Sequence, residues 1–230
     1  MTKQLRTILR HTTAVLAAIL ALVACSGGNL RQPIDIKGLT DHNGQPIGVL
    51  PAGVGVAPGL AAPRSHAHDA ASQVVELGPI FDAGPTLVVF YRGGWCPFCQ
   101  VQIRSLLAAH EELKQRGVQT VVISVDPPAE GQKKTLVMAE PMRVLYDPDL
   151  TAHTAFGVVH QADEAEVRTL RDKGVAVDGT LPGDRRFAVP AVFLVQQGHV
   201  TWAHAEPQYR NPPIFDDLRP VLEAAGLRAK

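Results

Sequence analysis

Charge of one sign is what this sequence lacks most plainly, since Lys plus Arg and Asp plus Glu number 22 each in 230 residues. With no net charge there is nothing to concentrate nucleic acid, and no nucleic-acid partner is expected. Aromatic residues are scarce too, at 5%, although 46% of the chain is apolar, enough for one substantial core and hardly for two. Cysteine occurs only at Cys25, Cys96 and Cys99. A four-cysteine zinc site is therefore excluded. No internal repeat is visible.

What is present begins with an export signal. Lys3, Arg6 and Arg10 precede an apolar run from Ala14 to Ala24, too short to span a bilayer, and Cys25 follows directly. Leu22-Val23-Ala24-Cys25 resembles the bacterial lipobox, which implies removal of residues 1–24 and lipid attachment at Cys25. Several acyl chains on one residue would hold the protein at a membrane. The expected location is the bacterial cell envelope, facing the periplasm, with Ser26 favouring the outer membrane by the same resemblance. In that oxidising setting Cys96 and Cys99 are the only pair left, and a bridge so short constrains little of the unfolded chain, so its purpose is chemical.

Residues 25–72 are rich in Gly, Pro and Ala and read as a tether or irregular arm, with an Asn43-Gly44 hairpin between Ile34 and Ile47. The folded domain is expected over 73–230. Thr86 to Tyr91 reads as a buried strand, the stretch from Cys99 to Arg116-Gly117 as a helix, Val118 to Val125 as a second strand and Glu130 to Glu140 as a second helix. Such alternation implies an α/β domain with parallel pairing. Arg143 to Tyr146 adds a strand and the residues from Asp147 to Phe156-Gly157 a short helix. Val189 to Val195 and Val200 to Trp202 form a hairpin, and Ile214 to Ala225 a final helix. The charged, Gly-rich residues 163–186 read as a surface excursion.

Cys96 stands where a helix begins, among unpaired N–H groups and the positive end of the helix dipole, which favour thiolate. Pro97 suits the first helical position, and Cys99 falls on the same face one turn later. After Gly93-Gly94-Trp95, Cys96 is expected to face solvent and attack, and Cys99 to be shielded and resolve. His66, His68 and Asp69 read as solvated linker rather than as a metal site, and His199 and His204 as facing water. No metal or organic cofactor is expected beyond the redox-active Cys96–Cys99 disulfide.

Phe90-Tyr91-Arg92-Gly93-Gly94-Trp95-Cys96-Pro97-Phe98-Cys99 resembles the peroxiredoxin-like branch of the alkyl hydroperoxide reductase and thiol-specific antioxidant family. Leu145 to Asp149, Phe156 to Val159, Val189-Pro190-Ala191, and Ala203-His204-Ala205 through Tyr209-Arg210 follow in that family's order, over roughly residues 75–225. The resemblance implies a thioredoxin-like fold, a central mixed sheet flanked by helices. It also implies that Pro190 is cis beside the dithiol, leaving the N–H and carbonyl of Val189 for a substrate backbone. The family places Thr or Ser three residues before its reactive cysteine; here stands Gly93, and Arg92, Arg185 or Arg186 are the candidate cations.

Three activities follow as expectations. The first is thiol-disulfide exchange with thiol- or disulfide-bearing proteins or small thiols, supported by a separate electron donor. The second is reduction of hydrogen peroxide or organic hydroperoxides through a Cys96 sulfenic acid. The third is copper binding by both thiolates with His160 or His204.

Overall fold

The computed structural model describes residues 32–126, 142–175 and 185–229. The signal segment, Cys25, the helix expected over 130–140 and part of the 163–186 excursion lie outside those residues. Fifteen elements are described, in the order β1 His66–His68, β2 Val74–Glu76, α1 Leu77–Ala83, β3 Thr86–Phe90, α2 Pro97–Ala108, α3 His110–Gln115, β4 Gln119–Ser124 and β5 Met142–Tyr146. There follow α4 Thr151–Ala155, β6 Val159–Gln161, α5 Glu164–Asp172, β7 Arg186–Ala188, β8 Ala191–Gln196, β9 His199–Ala205 and α6 Phe215–Ala224.

The strand Thr86–Phe90 is buried along its whole length, so it can only be central. It pairs in parallel with β4 and antiparallel with β8, in a seven-stranded mixed sheet of order β2-β1-β5-β4-β3-β8-β9. Side-chain alternation splits the core between the two faces. Val88 and Phe90 join Phe81, Phe156 and Phe193 on one side. Leu87, Val89 and Tyr91 join Ile103, Leu106, Leu218 and both catalytic-candidate cysteines on the other. This is a thioredoxin-like α/β fold. The β8–β9 hairpin turns at Gln197 and Gly198, both with positive φ (50° and 74°), as a two-residue turn with the strands' own twist requires.

Three sequence expectations change. The long helix after Cys99 is two, broken at Ala109 (φ −92°, ψ 9°). The Ile34–Ile47 hairpin reduces to one bridge, Thr40 to Pro46, around a turn in which the Asp41 carboxylate accepts from the Asn43 and Gln45 amides. Most consequentially, strand β1 lies within the expected arm, and residues 32–65 are irregular but not free. They run along β9, the sheet's edge, with Ile34 N–H donating to Thr201 O (2.8 Å), Gly59 N–H to Val200 O (2.7 Å) and Ala62 N–H to Gly198 O (2.9 Å). An uncovered edge strand would present unpaired backbone groups, and this segment satisfies them. Composition signalled the irregularity and not the docking.

The segment read as an excursion holds the helix Glu164–Asp172. Asp163 caps it by accepting from the Glu166 N–H (2.8 Å), and Val167 and Leu170, three apart on one face, are buried against Leu150 and Phe187. This helix and β7 form one wall of the region around Cys96.

Candidate active site

The loop between β3 and α2 sets the cysteines. Gly94 N–H donates to the buried Asp126 carboxylate (2.8 Å), which also accepts from the Ser124 hydroxyl (2.8 Å), so the end of β4 holds the loop down. Gly93 has φ 146°, and a Cβ there would stand 2.3 Å from Trp95 Nε1. Only glycine fits, because the indole fills the space a side chain would need. Cys96 is the N-cap of α2, with Pro97 at the first helical position.

Its Sγ accepts the Cys99 N–H at 3.4 Å. Both cysteines are free thiols, and both are buried, at 1% and 0% exposure. The expectation that Cys96 faces open solvent is therefore corrected: it lies at the wall of a pocket of about 300 Å³. Trp95, Phe98, Leu170, Val175 and Tyr209 give that cavity its apolar lining, and Arg92, Glu166 and Lys173 its charges. The cover comes from residues 70 and more positions away in sequence, which the local motif does not reveal.

The two thiols diverge electrostatically. Hydrogen bonding from Cys99, side chain first and amide after, outweighs burial and brings Cys96 down from 9.0 to about 7, with the Arg92 charge assisting. Burial, joined by the neighbouring Cys96, pushes Cys99 well above 9.0. One sulfur is poised as a thiolate, and the other holds its proton.

Arg92 is the arginine that lines the cavity with Cys96. Its side chain is 4% exposed, and its guanidinium carbon lies 4.0 Å from the Tyr209 ring centroid, 4.6 Å from Phe187 and 4.8 Å from Trp95. Its Nη2 donates to Glu166 Oε1 at 2.6 Å, and Glu166 Oε2 lies 2.6 Å from His160 Nε2. A second cavity of about 290 Å³ shares Arg92, Glu166 and Tyr209 with the first and is further lined by His160, Val189 and Pro190. Arg185, at positive φ, pairs instead with Glu164, and neither it nor Arg186 lines the Cys96 cavity.

Val189 and Pro190 thus line the second cavity and not the one that holds Cys96. The Val189 N–H is not open for a substrate, because it donates to Val158 O at 2.8 Å and so extends the β6–β7 ladder by one bond. The Pro190 carbonyl accepts from the Glu206 N–H (2.8 Å).

His204 is a further correction. It is 3% exposed, stacked on Trp202 (6.3 Å between centroids, 28° between planes), with Nδ1 accepting the Val49 N–H at 3.4 Å. Burial drives it from 6.5 down to about 4. His199 sits half-buried at the hairpin turn beside Gln197 O (3.0 Å). His66 and His68 form β1, and the Asp69 carboxylate accepts from the Ala71 and Gln73 amides. Among the described residues no three His, Cys, Asp or Glu side chains converge as a metal site.

Sequence reasoning missed Glu166. The signal was available, since Asp163-x-x-Glu166 ahead of Val167 and Leu170 is a helix-start pattern.

The sequence profile of the AhpC/TSA family matches residues 58–203. This chain belongs to the AhpC/TSA family. The match runs from before β1 into β9 and so includes the Cys96–Cys99 loop, α5 and the Val189-Pro190 segment. As a member of the family the protein is an oxidoreductase acting on peroxides or thiols. Several peroxiredoxin structures share the fold. Reduced Prx3 from Vibrio vulnificus superposes with a TM-score of 0.57 at 16% identity, over 73% of this chain and 99% of that one. A cysteine-to-serine mutant of the peroxiredoxin 6 of Arenicola marina gives 0.58 at 12% identity, over 74% and 73%. Peroxiredoxin 5 from Alvinella pompejana gives 0.51 at 14% identity, over 76% and 99%. No curated protein sequence matches this chain.

Proposed function

We propose that this protein is a thiol-dependent peroxidase in which Cys96 attacks a hydroperoxide and Cys99 resolves the product. The observation that carries the reading is the 1% exposure of Cys96 on a cavity of about 300 Å³, which admits a small electrophile and turns away the disulfide of a folded protein.

The Cys96 thiolate attacks the terminal oxygen; the S–O bond forms, the O–O bond breaks, and the departing alkoxide takes a proton from water. Cys96 is then a sulfenic acid. The Cys99 sulfur attacks it, the S–O bond breaks, water leaves with the thiol proton, and a Cys96–Cys99 disulfide remains. A thiol-bearing donor restores the dithiol in two exchange steps and becomes a disulfide itself. The hydrogen bond from the Cys99 N–H to the Cys96 sulfur supports their pairing in one turn of helix. Arg92 supplies a cation in the same cavity.

Thiol-disulfide exchange with other proteins is the second reading, favoured by the exposed apolar side chains of Phe98 (37%) and Val101 (55%) beside the dithiol. Stopped-flow oxidation of the reduced protein by hydrogen peroxide, an organic hydroperoxide and a small aromatic disulfide separates them. Fast oxidation by a hydroperoxide, abolished in Cys96→Ser and halted at the sulfenic acid in Cys99→Ser, is the expected result. Faster reaction with the disulfide than with either peroxide would install exchange in its place. For location the sequence supports a lipid on Cys25, which mass spectrometry of the mature N-terminus would detect.

A further inference from the structure

A guanidinium as enclosed as that of Arg92 needs a counter-charge, because an unpaired buried cation is strongly destabilising. Two anions compete for it. One is Glu166, in contact at 2.6 Å; the other is the Cys96 thiolate in the same cavity. Glu166 stands at the third position of α5, where a carboxylate commonly turns back to the cap residue's own N–H. Here its backbone N–H is capped by Asp163, while both carboxylate oxygens turn outward, Oε1 to Arg92 and Oε2 to His160. The helix has a complete cap without that side chain, so the carboxylate is spent on the site.

We propose that Glu166 is a positioning residue of the reaction, holding Arg92 within its three rings and competing with Cys96 for the guanidinium charge. It acts through Arg92 and touches no reacting atom. The inference rests on the reading of Cys96 as the nucleophile and adds what sets its strength. A thiol attacks best when its pKa lies near the ambient pH, since a lower pKa also lowers intrinsic nucleophilicity. With its cation shared, Cys96 stays in that range; an unopposed Arg92 would lower it further and blunt it. His160 fixes the far oxygen of Glu166 and so the direction of the near one. The charged and titratable groups around the cavity come from every element on it: Cys99 from α2, Arg92 from the loop after β3, Glu166 from α5 and Lys173 just after it, His160 from β6 through Glu166, and Tyr209 from the loop after β9.

The test is a thiolate titration of the reduced protein by absorbance at 240 nm, with the matching Cys96→Ser protein subtracted so that Cys96 alone is read. Glu166→Gln keeps an acceptor for Arg92 and loses the charge, so the Cys96 midpoint should fall by about half a pH unit or more. Glu166→Asp keeps the charge and should leave the midpoint close to that of the parent. In an Arg92→Gln background, Glu166→Gln should produce no further shift. An unchanged or raised midpoint in Glu166→Gln overturns the proposal, as does a fall of the same size in both backgrounds, which would mean a direct field rather than one acting through Arg92. Should Arg92→Gln fail to fold by circular dichroism, equal shifts in Glu166→Gln and Glu166→Asp overturn it instead. No peroxide or disulfide enters the measurement, so it stands or falls separately from the assignment of the oxidant.

Discussion

Cys99→Ala tests the electrostatics of the dithiol directly. The hydrogen bond from Cys99 is the largest influence holding Cys96 near 7 rather than 9.0. At pH 7 a thiol at 9.0 is about 1% thiolate and one at 7 about half, a difference of about 50-fold in the reactive species. Removing the Cys99 sulfur takes away that donor while the Cys99 amide and Arg92 remain, so the midpoint should rise by about one unit or more and the thiolate at pH 7 should fall to about a tenth or less. The assay is the pH dependence of alkylation by iodoacetamide, read as the inflection rather than the absolute rate because the sulfur is enclosed. Cys99 itself, raised well above 9.0, stays silent below pH 8. An inflection above pH 8.5 in the parent protein, or one unmoved in Cys99→Ala, would refute the reasoning.

His204 predicts acid sensitivity. Its folded value of about 4 lies below the ordinary 6.5, so its contribution is fully present above pH 6.5 and is lost as pH falls towards 4. Between pH 7 and 5 this amounts to about 2 kcal/mol, visible as a falling urea midpoint; His204→Gln should flatten that slope, and an equal slope in both proteins would contradict the assignment. Gly93→Thr, which restores the side chain the family carries there, should lower stability by about 2 kcal/mol or more, because its Cβ falls 2.3 Å from Trp95 Nε1 at φ 146°. Thermal melts check this, and a variant as stable as the parent with a faster peroxide reaction would show that the loop can reopen.

How far the sequence revealed this arrangement depends on the range of the interactions involved. The strand Thr86–Phe90, the capped start of α2 at Cys96 and the Gln197-Gly198 turn are fixed by neighbours within a few positions, and all were legible. The burial of Cys96 was not, since its cover includes Leu170 and Tyr209, from segments far along the chain. His204 was misread for a related reason: alternation in β9 said that one face is buried, but the docked residues around Val49 bury the other. In α5 six charged residues, Glu164, Glu166, Arg168, Arg171, Asp172 and the capping Asp163, masked two apolar ones. The helix-start pattern was there to be read, and its partner Arg92 was not, because ion pairs between distant segments leave no periodicity.

The same long range explains why the site is assembled as it is. Arg92 follows directly on β3 and would reach open solvent if α5 and β7 did not fold over it. Burying a cation that way is unfavourable alone, and it becomes tolerable only with Glu166 in contact and three aromatic faces around it. The ion pair therefore does more than tune a charge: it makes the closing of α5 over the dithiol depend on a correctly placed arginine. In place, α5 helps enclose Cys96 and brings Glu166 onto the cation that lines the same cavity. Enclosure of Cys96 and placement of the ion pair beside it therefore come from the same packed helix.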